Sequence, residues 1–246
     1  MCEELPMPAT DFPAPPAHGY RGETELDAPL TRPRGLAVAI SRQAGARGGT
    51  VAKKVADVLG WQVFDNETLD YLVDDDTARV QFLSEIPDAA KAWAAAHLAQ
   101  LQRQNGFSAD AETLGMIELL LAVAARGDVV IVGRGAGYLL PSETTVHVRV
   151  VAPLESRVAY FAQWLRLSIP EAAVEVQARD QRRAHFLSTI GRDPTDPTGY
   201  DMVVNSGRLG IEGTAQFIGW AVRTKQMFAE IRESNKGEIV DDLPTV

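Results

Sequence analysis

The sequence predicts a three-layer α/β fold, in which helices cover both faces of a mostly parallel, five-stranded sheet. Short apolar runs alternate along the chain with longer helical patterns. Runs such as Val129–Val132 show no polar alternation, which is typical of strands buried on both faces. Glycine-containing turns follow two of these runs directly, at the sheet edge where α/β proteins bind ligands. These observations favour a parallel sheet with a ligand site at the carboxyl ends of its strands.

The first half of the chain begins with an apolar strand at residues 36–41, followed by a glycine-rich turn. A helix is predicted at residues 50–59, because Val51, Val55 and Leu59 share one face and Gly60 is a residue type favoured at helix ends. A short second strand is predicted at residues 61–64. The signals from residue 68 to 125 are mostly helical, so we expect a helical insert there.

The second half begins with a buried strand at residues 129–132, bounded by Gly127 and Gly133. A fourth strand is predicted at residues 145–151, and Pro153 then marks the start of a helix. Helical patterns follow at residues 154–167 and 170–190, then a last strand at 200–204 and a closing helix at 211–233. Residues from about 167 to 198 are expected to form a helical lid.

Both ends of the chain are predicted to lie outside the folded domain, which we place at residues 35–236. Residues 1–34 hold half of the chain's 14 prolines and few large apolar side chains. Such a segment buries too little apolar surface to offset the entropy of ordering, so we expect a disordered leader. Residues 237–246 are expected to form a flexible tail.

Composition argues against several classes of protein. The net charge of −9, with no basic block, disfavours a nucleic-acid partner. The longest apolar stretch is interrupted by Glu118 and is too short to span a bilayer. The single cysteine, Cys2, cannot build a disulfide framework, and the N-terminus lacks the pattern of a signal peptide. We therefore expect a cytoplasmic protein with no membrane partner.

The turn at residues 41–50 has the features of a phosphate cradle. Backbone N–H groups and the N-terminus of the following helix can face an anion there, and glycines permit a close approach. Thr50 is a candidate Mg²⁺ contact, directly or through water. The candidate phosphate-binding residues are Arg42, Gly45, Ala46, Gly48, Gly49 and Thr50.

This turn lacks the lysine of the common G-x-x-x-x-G-K-[ST] pattern. The nearest cations are Arg42 and Arg47, so the turn indicates phosphate binding and leaves catalysis open. The alternative is an ordinary glycine-containing connection between a strand and a helix.

Two other strand ends carry candidate site residues. Asp65 and Asn66 follow the second strand, where they could hold magnesium-bound water, a substrate group or a phosphate. The alternative is that one of them simply caps a helix. Arg134 follows the third strand between Gly133 and Gly135, where its guanidinium can grip a phosphate with two parallel hydrogen bonds.

A fourth group of candidates lies in the predicted lid. Arg179, Arg182 and Arg183 share one helix face, with Asp180 beside them. Arginines on a mobile segment suit phosphoryl transfer, because the charge on the transferred group must be neutralised. The alternative is a solvated helix surface.

These segments, taken in order, resemble the cytidylate kinase-like family of P-loop nucleoside monophosphate kinases, from about residue 36 to 222. Residues 40–48 read Ile-Ser-Arg-Gln-Ala-Gly-Ala-Arg-Gly, similar to the family's I-S-R-x-x-G-S-G-G loop, which also lacks the usual lysine. Residues 130–136 resemble the family's V-G-R-x-A strand end. The other similar blocks are residues 52–65, 151–157, 180–183 and 200–205.

The resemblance implies a P-loop NTPase fold and an enzyme, a kinase that transfers a phosphoryl group from ATP, with Mg²⁺, to a nucleoside monophosphate. CMP or dCMP is the first candidate acceptor. Residues 45–50 would then hold the donor phosphates, and Arg134 would hold the acceptor together with Asp65, Asn66 and Asp180. Asp180 and Arg183 match a D-x-x-R motif, so Arg179 and Arg183 would act catalytically from the lid.

The resemblance also places Arg157 as a second acceptor-side or lid-side arginine, and Arg47 among the catalytic residues. Three departures from authentic cytidylate kinases stand out. Gly48 occupies the lysine position, so Arg47 or Arg42 would have to replace that charge, and Arg47 could instead crowd the nucleotide. Gly135 stands where those kinases have an aspartate that recognises the acceptor nucleoside. The helical region 68–125 replaces their base-recognising insert.

Two other functions fit the same residues. One is a kinase of this fold that phosphorylates a small metabolite, because Asp65, Glu67 and Asp70 could bind hydroxyl or amine groups. The other is a nucleotide-binding regulator without useful turnover, motivated by the missing lysine. A homo-oligomer is compatible with either.

Overall fold

The computed structural model describes residues 35–105 and 111–238, and a parallel sheet lies at its centre. The strands follow the order β2-β3-β1-β4-β5 across the sheet, and every neighbouring pair is parallel. The predicted five-stranded sheet is therefore confirmed. Its strands are β1 (Ala37–Arg42), β2 (Gln62–Phe64), β3 (Val129–Val132), β4 (Thr145–Val151) and β5 (Met202–Asn205).

Helices connect the strands, and four of them form the insert between β2 and β3. None of the helices in the described part of the chain has the length and apolar character needed to cross a membrane. A short 3-10 turn, Pro197–Gly199, precedes β5. The helices are α1 (Gly48–Leu59), α2 (Asn66–Asp74), α3 (Asp76–Ser84), α4 (Asp88–Asn105), α5 (Ala111–Arg126), α6 (Ala136–Leu139), α7 (Leu154–Leu165), α8 (Ile169–Thr189) and α9 (Ser206–Glu238).

The sheet separates two hydrophobic layers. Val38 and Ile40 of β1 point into a core shared with α1 and α9, whereas Ala37 and Ala39 point into a core shared with the insert. This alternation follows from the two-residue period of a strand. Because every residue of Val129–Val132 is buried, both faces of the sheet are covered, which confirms the three-layer prediction.

Two helical elements differ from the prediction. Residues 136–139 form α6, a single turn that was not predicted because it is too short to show a periodic pattern. The last helix begins at Ser206 rather than 211, with Gly210 at φ 71° and ψ 175° producing a kink. It runs to Glu238, into the predicted tail. The remaining tail residues, 239–246, and the predicted leader, 1–34, lie outside the described residues.

The parallel register places the chemistry at one edge of the sheet. Ser41 and Arg42 at the end of β1 pair with Arg149 and Val150 of β4. On the other side, Ile40 pairs with Val132, so the turn after β3 begins beside the turn after β1. The carboxyl ends of three adjacent strands therefore surround one space.

Candidate active site

A cavity of about 650 Å³ opens at this edge, between the strand ends and helix α8. This volume lies within the range of small-molecule sites. Among the described residues, Asp180 is the one acidic residue in its wall, so the cavity suits an anionic ligand. The wall contains six arginines: Arg42, Arg134, Arg149, Arg179, Arg182 and Arg183.

The loop between β1 and α1 has a backbone that few side chains could adopt. Gly45 has φ 78° and Arg47 has φ 57°, both in the left-handed region. A β-carbon at Gly45 would lie 2.5 Å from the carbonyl oxygen of Arg157, so this position requires glycine. The loop then enters α1, whose first-turn N–H groups face outward from the helix N-terminus.

An ion pair between the buried Arg157 and the half-buried Asp180 supports this loop. Nη1 of Arg157 lies 2.6 Å from Oδ2 of Asp180 and donates to the carbonyl of Ala44 at 3.1 Å. Oδ1 of Asp180 accepts from the backbone N–H of Ala44 at 2.7 Å. Arg157 is only 8% exposed and does not line the cavity, so this geometry lends no support to an acceptor-side role for it.

Arg42 extends from the end of β1 into the cavity. Its stem lies against Gly48, where a β-carbon would be 2.7 Å from Cβ of Arg42, and its guanidinium contacts Gly133. Burial, with the nearby charges of Arg183 and Arg134, lowers the pKa of Arg42 to about 10. Arg42 therefore keeps its charge at neutral pH while lacking much of its hydration.

Arg47 lies elsewhere. Its guanidinium stacks over the ring of Tyr160, 5.5 Å from the centroid, and its side chain does not line the cavity. Gly49 and Thr50 are exposed in the first turn of α1, and neither lines the cavity. Of the predicted phosphate-binding residues, Arg42 lines the cavity, whereas Gly45, Ala46, Gly48, Gly49 and Thr50 do not.

Arg134 occupies the turn after β3 with φ 53°, between two glycines that also have positive φ. Its guanidinium forms an ion pair with Asp70 of α2. Nε of Arg134 and Oδ1 of Asn66 are buried, and neither has a hydrogen-bond partner among the residues that the structure describes. Both residues line the cavity, so a bound ligand could satisfy these two atoms.

Asp65 caps helix α2 and does not line the cavity. Its Oδ1 accepts from the N–H of Thr68 at 3.0 Å and from the hydroxyl of Thr68 at 2.9 Å. Burial alone would raise the pKa of Asp65, but these hydrogen bonds, with the charges of Lys53 and Arg42, hold that pKa below its usual value. The geometry therefore gives Asp65 a capping role.

Helix α8 brings three of the predicted lid arginines to the cavity. Arg179 pairs with Glu175 at 2.5 Å and lies over the ring of Phe161 at 4.9 Å. Arg182 is 3.5 Å from the same carboxylate. Nη1 of Arg183 donates to the carbonyl of Arg42 at 3.0 Å, and burial lowers the pKa of Arg183. The predicted shared face is therefore a wall of the cavity.

Arg149 is a cavity residue that the sequence reasoning missed. Its Nη1 donates to the hydroxyl of Tyr200 at 2.8 Å, and that hydroxyl donates to the carbonyl of Pro194 at 3.1 Å. The available signal was an arginine near the carboxyl end of a predicted strand. Arg149 and Tyr200 link the sheet edge to the segment after α8.

His147 lies behind Arg149 on β4 and is 4% exposed. Nδ1 is 2.7 Å from the carbonyl of Gly199, so this nitrogen carries the proton, and Nε2 accepts from the hydroxyl of Ser41 at 2.9 Å. Burial lowers the pKa of His147 to about 4. The imidazole is therefore neutral at pH 7, and it fixes Ser41 at the cavity wall.

The fold and this site define an α/β protein with a parallel sheet, a glycine-rich loop that enters a helix and an arginine-lined cavity. The model of the cytidylate kinase-like family matches residues 37–208, and the chain belongs to that family.

Curated relatives agree with this assignment, and a solved structure shares the fold. Cytidylate kinases of Thermococcus sibiricus and Ignicoccus hospitalis are 32% and 31% identical to the chain over 96 and 101 residues, or 39% and 41% of it. These segments cover 49% and 59% of those proteins, so the chain matches about half the length of its curated relatives. An uncharacterised protein from Eubacterium ventriosum shares the fold, with a TM-score of 0.55 at 17% identity, over 78% of this chain and 99% of that one.

Proposed function

We propose that this protein transfers the γ-phosphoryl group of ATP to a nucleoside monophosphate, with CMP or dCMP the first candidate. The observation that carries this proposal is the concentration of six arginines around one cavity beside the loop that enters α1. Two bound anions must approach each other in such a reaction, and fixed positive charge offsets their repulsion. Family membership and the cytidylate kinases among the relatives support the choice of acceptor.

The proposed reaction needs no covalent intermediate on the protein. A phosphate oxygen of the acceptor attacks the γ-phosphorus, the bond from that phosphorus to the β–γ bridging oxygen breaks, and ADP leaves with a nucleoside diphosphate as the other product. Arg134 would orient the acceptor phosphate, while Arg179 and Arg183 would neutralise charge on the transferred group. Positioning and electrostatics are the main sources of catalysis in phosphoryl transfer.

Mg²⁺ would be held mainly by the phosphates of ATP. The described residues contain no group of three or more histidine, cysteine or acidic side chains that could hold a metal ion. The hydroxyl of Thr50, exposed at the start of α1, fits a single contact to the ion, directly or through water. When bound, the ion would neutralise part of the phosphate charge.

The metabolite-kinase alternative receives less support from the geometry. Asp65 caps a helix, Asp70 pairs with Arg134, and Glu67 is exposed outside the cavity wall. None of these carboxylates is therefore free in the cavity to receive a hydroxyl or an amine. The regulator alternative predicts binding of ATP without turnover, which a direct assay can test.

The test is an ADP-release assay with ATP and Mg²⁺ across CMP, dCMP, UMP, AMP and GMP, with cytidine as the matched acceptor lacking a phosphate. We expect turnover with CMP or dCMP and none with cytidine. Calorimetry with a non-hydrolysable ATP analogue runs beside it. Binding of the analogue without turnover on any monophosphate would favour the regulator and overturn the kinase proposal.

A further inference from the structure

We propose that Arg42 takes the place of the missing loop lysine, and that position 48 is glycine because the stem of Arg42 lies there. This inference rests on the proposed function for its chemistry. Its geometric part concerns two residues that come close together only in the folded loop, one at the end of β1 and one at the start of α1.

The space around Gly48 carries the argument. A β-carbon at this position would lie 2.7 Å from Cβ, 3.0 Å from Cγ and 3.1 Å from Cδ of Arg42. Three successive atoms of the stem therefore pass over the glycine. A lysine at position 48 and an arginine at position 42 would compete for the same volume, so the chain can hold one of them only.

The far end of Arg42 reaches the place where donor and acceptor phosphates would meet. Its guanidinium lies against Gly133, next to Arg134, and the main chain of Arg42 accepts a hydrogen bond from Arg183. The same side chain thus spans from the phosphate loop to the acceptor side. A planar guanidinium can donate to oxygens of two phosphates at once, which a lysine ammonium does less well.

Arg42 also differs from its neighbours in its partners. Arg134, Arg179 and Arg183 each lie within ion-pair distance of a carboxylate, namely Asp70, Glu175 and Asp180. Among the described residues no carboxylate pairs with Arg42 in this way. An incoming phosphate would therefore meet a charge that is already free, and would relieve the repulsion between Arg42, Arg134 and Arg183.

Arg47 is the competing candidate, and its position argues against it. Its guanidinium lies over Tyr160 outside the cavity wall. To enter the cavity, the guanidinium of Arg47 would have to leave this ring.

The test exchanges the two positions. Cβ of Arg42 itself lies 2.7 Å from where a β-carbon at position 48 would stand. The substitution that empties this space is therefore Arg42→Gly rather than Arg42→Ala. We expect Arg42→Gly alone to lower kcat/KM for ATP about 100-fold. Gly48→Lys alone should lower it as well, because the lysine clashes with the Arg42 stem. The double variant Arg42→Gly/Gly48→Lys should recover at least about tenfold over either single change.

Two further measurements keep the outcome decisive. Calorimetric affinity for a non-hydrolysable ATP analogue should fall about tenfold in Arg42→Ala, less in Arg42→Lys, and less in Arg47→Ala. This readout stands even if no acceptor supports turnover, so failure of the proposed function is distinguishable from failure of this inference. A double variant no better than the worse single, or a larger loss of analogue affinity in Arg47→Ala than in Arg42→Ala, would overturn the proposal.

Discussion

Arg157 and Asp180 together fix the loop between β1 and α1, because they bind the carbonyl and the N–H of the same residue, Ala44. Nη1 of Arg157 lies 2.6 Å from Oδ2 of Asp180, and the pair engages both backbone polar groups of Ala44. Arg157 belongs to α7 and Asp180 to α8. The position of the loop is therefore tied to α8, the helix that carries Arg179 and Arg183. A movement of α8 would be transmitted to the loop.

Removal of Arg157 tests this support. We expect Arg157→Ala to lower the free energy of unfolding by about 3 kcal/mol, because Asp180 and the carbonyl of Ala44 lose a buried partner. Urea unfolding at pH 7 measures it. The matched control is Arg223→Ala on the exposed surface of α9, which should change stability by less than about 0.5 kcal/mol. Equal stability of the two variants would contradict a supporting role for Arg157.

Two substitutions of Arg134 distinguish the effect of its charge on activity from the effect of its positive φ on stability. At φ 53° the backbone conformation is less strained for glycine than for alanine, so Arg134→Gly should be more stable than Arg134→Ala by about 1 kcal/mol. Both variants should lose about 100-fold in kcat/KM for the acceptor, because both lose the charge-assisted hydrogen bonds. Thermal unfolding and steady-state kinetics give the two quantities. Acceptor kinetics unchanged in both variants would remove Arg134 from the acceptor site.

Asp70 distinguishes a phosphate acceptor from a neutral one. In the structure its carboxylate pairs with Arg134 and competes with any anion for that guanidinium. Asp70→Asn should therefore lower KM for CMP, by about threefold for a half-exposed pair. If Asp70 instead binds a hydroxyl or amine of a metabolite, the same change would raise KM for that metabolite. Steady-state kinetics at fixed ATP decides between them.

His147 makes stability depend on pH in a defined window. Its folded pKa is about 4, and its unfolded pKa is near 6.5, so the unfolded chain binds the proton more readily. Its contribution is constant above about pH 6.5 and is lost as the pH falls towards 4, by up to about 3 kcal/mol. Urea unfolding between pH 7.5 and 4.5 should show a weaker pH dependence in His147→Gln than in the unchanged protein.

The exposed His185 provides the control for that series. The pH profile of stability in His185→Gln should match that of the unchanged protein, because this side chain is exposed and the substitution removes no buried contact. Identical profiles for His147→Gln and the unchanged protein would show that His147 titrates normally in the folded state.

Much of the fold could be predicted because the buried strands are apolar on both faces and are bounded by glycines. Val129–Val132 is the clearest case. The kink of α9 at Gly210 was not predicted, because residues 206–210 contain two glycines and give weak helical signals. Such local preferences are outweighed here by the packing of the helix against α1.

Arg42 and Arg134 could be placed at one edge of the sheet from the sequence, because Arg42 ends β1 and Arg134 lies two residues after β3. Their positions depend on the backbone alone, and the parallel register brings them together. The roles of Arg157 and Asp65 were harder to predict. Whether such a side chain faces a ligand or supports the main chain depends on its hydrogen-bond partners, which only the structure shows. Arg149 was missed because the sequence of its strand does not show which side chains face a ligand, and only the sheet geometry shows that Arg149 reaches the cavity.

The activity that we propose is phosphoryl transfer from ATP to a nucleoside monophosphate in the arginine-lined cavity. The ³¹P spectrum of ATP, CMP, Mg²⁺ and the protein tests it directly, because every phosphorus atom is observed. We expect the resonances of ADP and CDP to grow in equal amounts as those of ATP and CMP decline. Unchanged spectra with CMP and with every other monophosphate, or growth of inorganic phosphate in place of a nucleoside diphosphate, would contradict it.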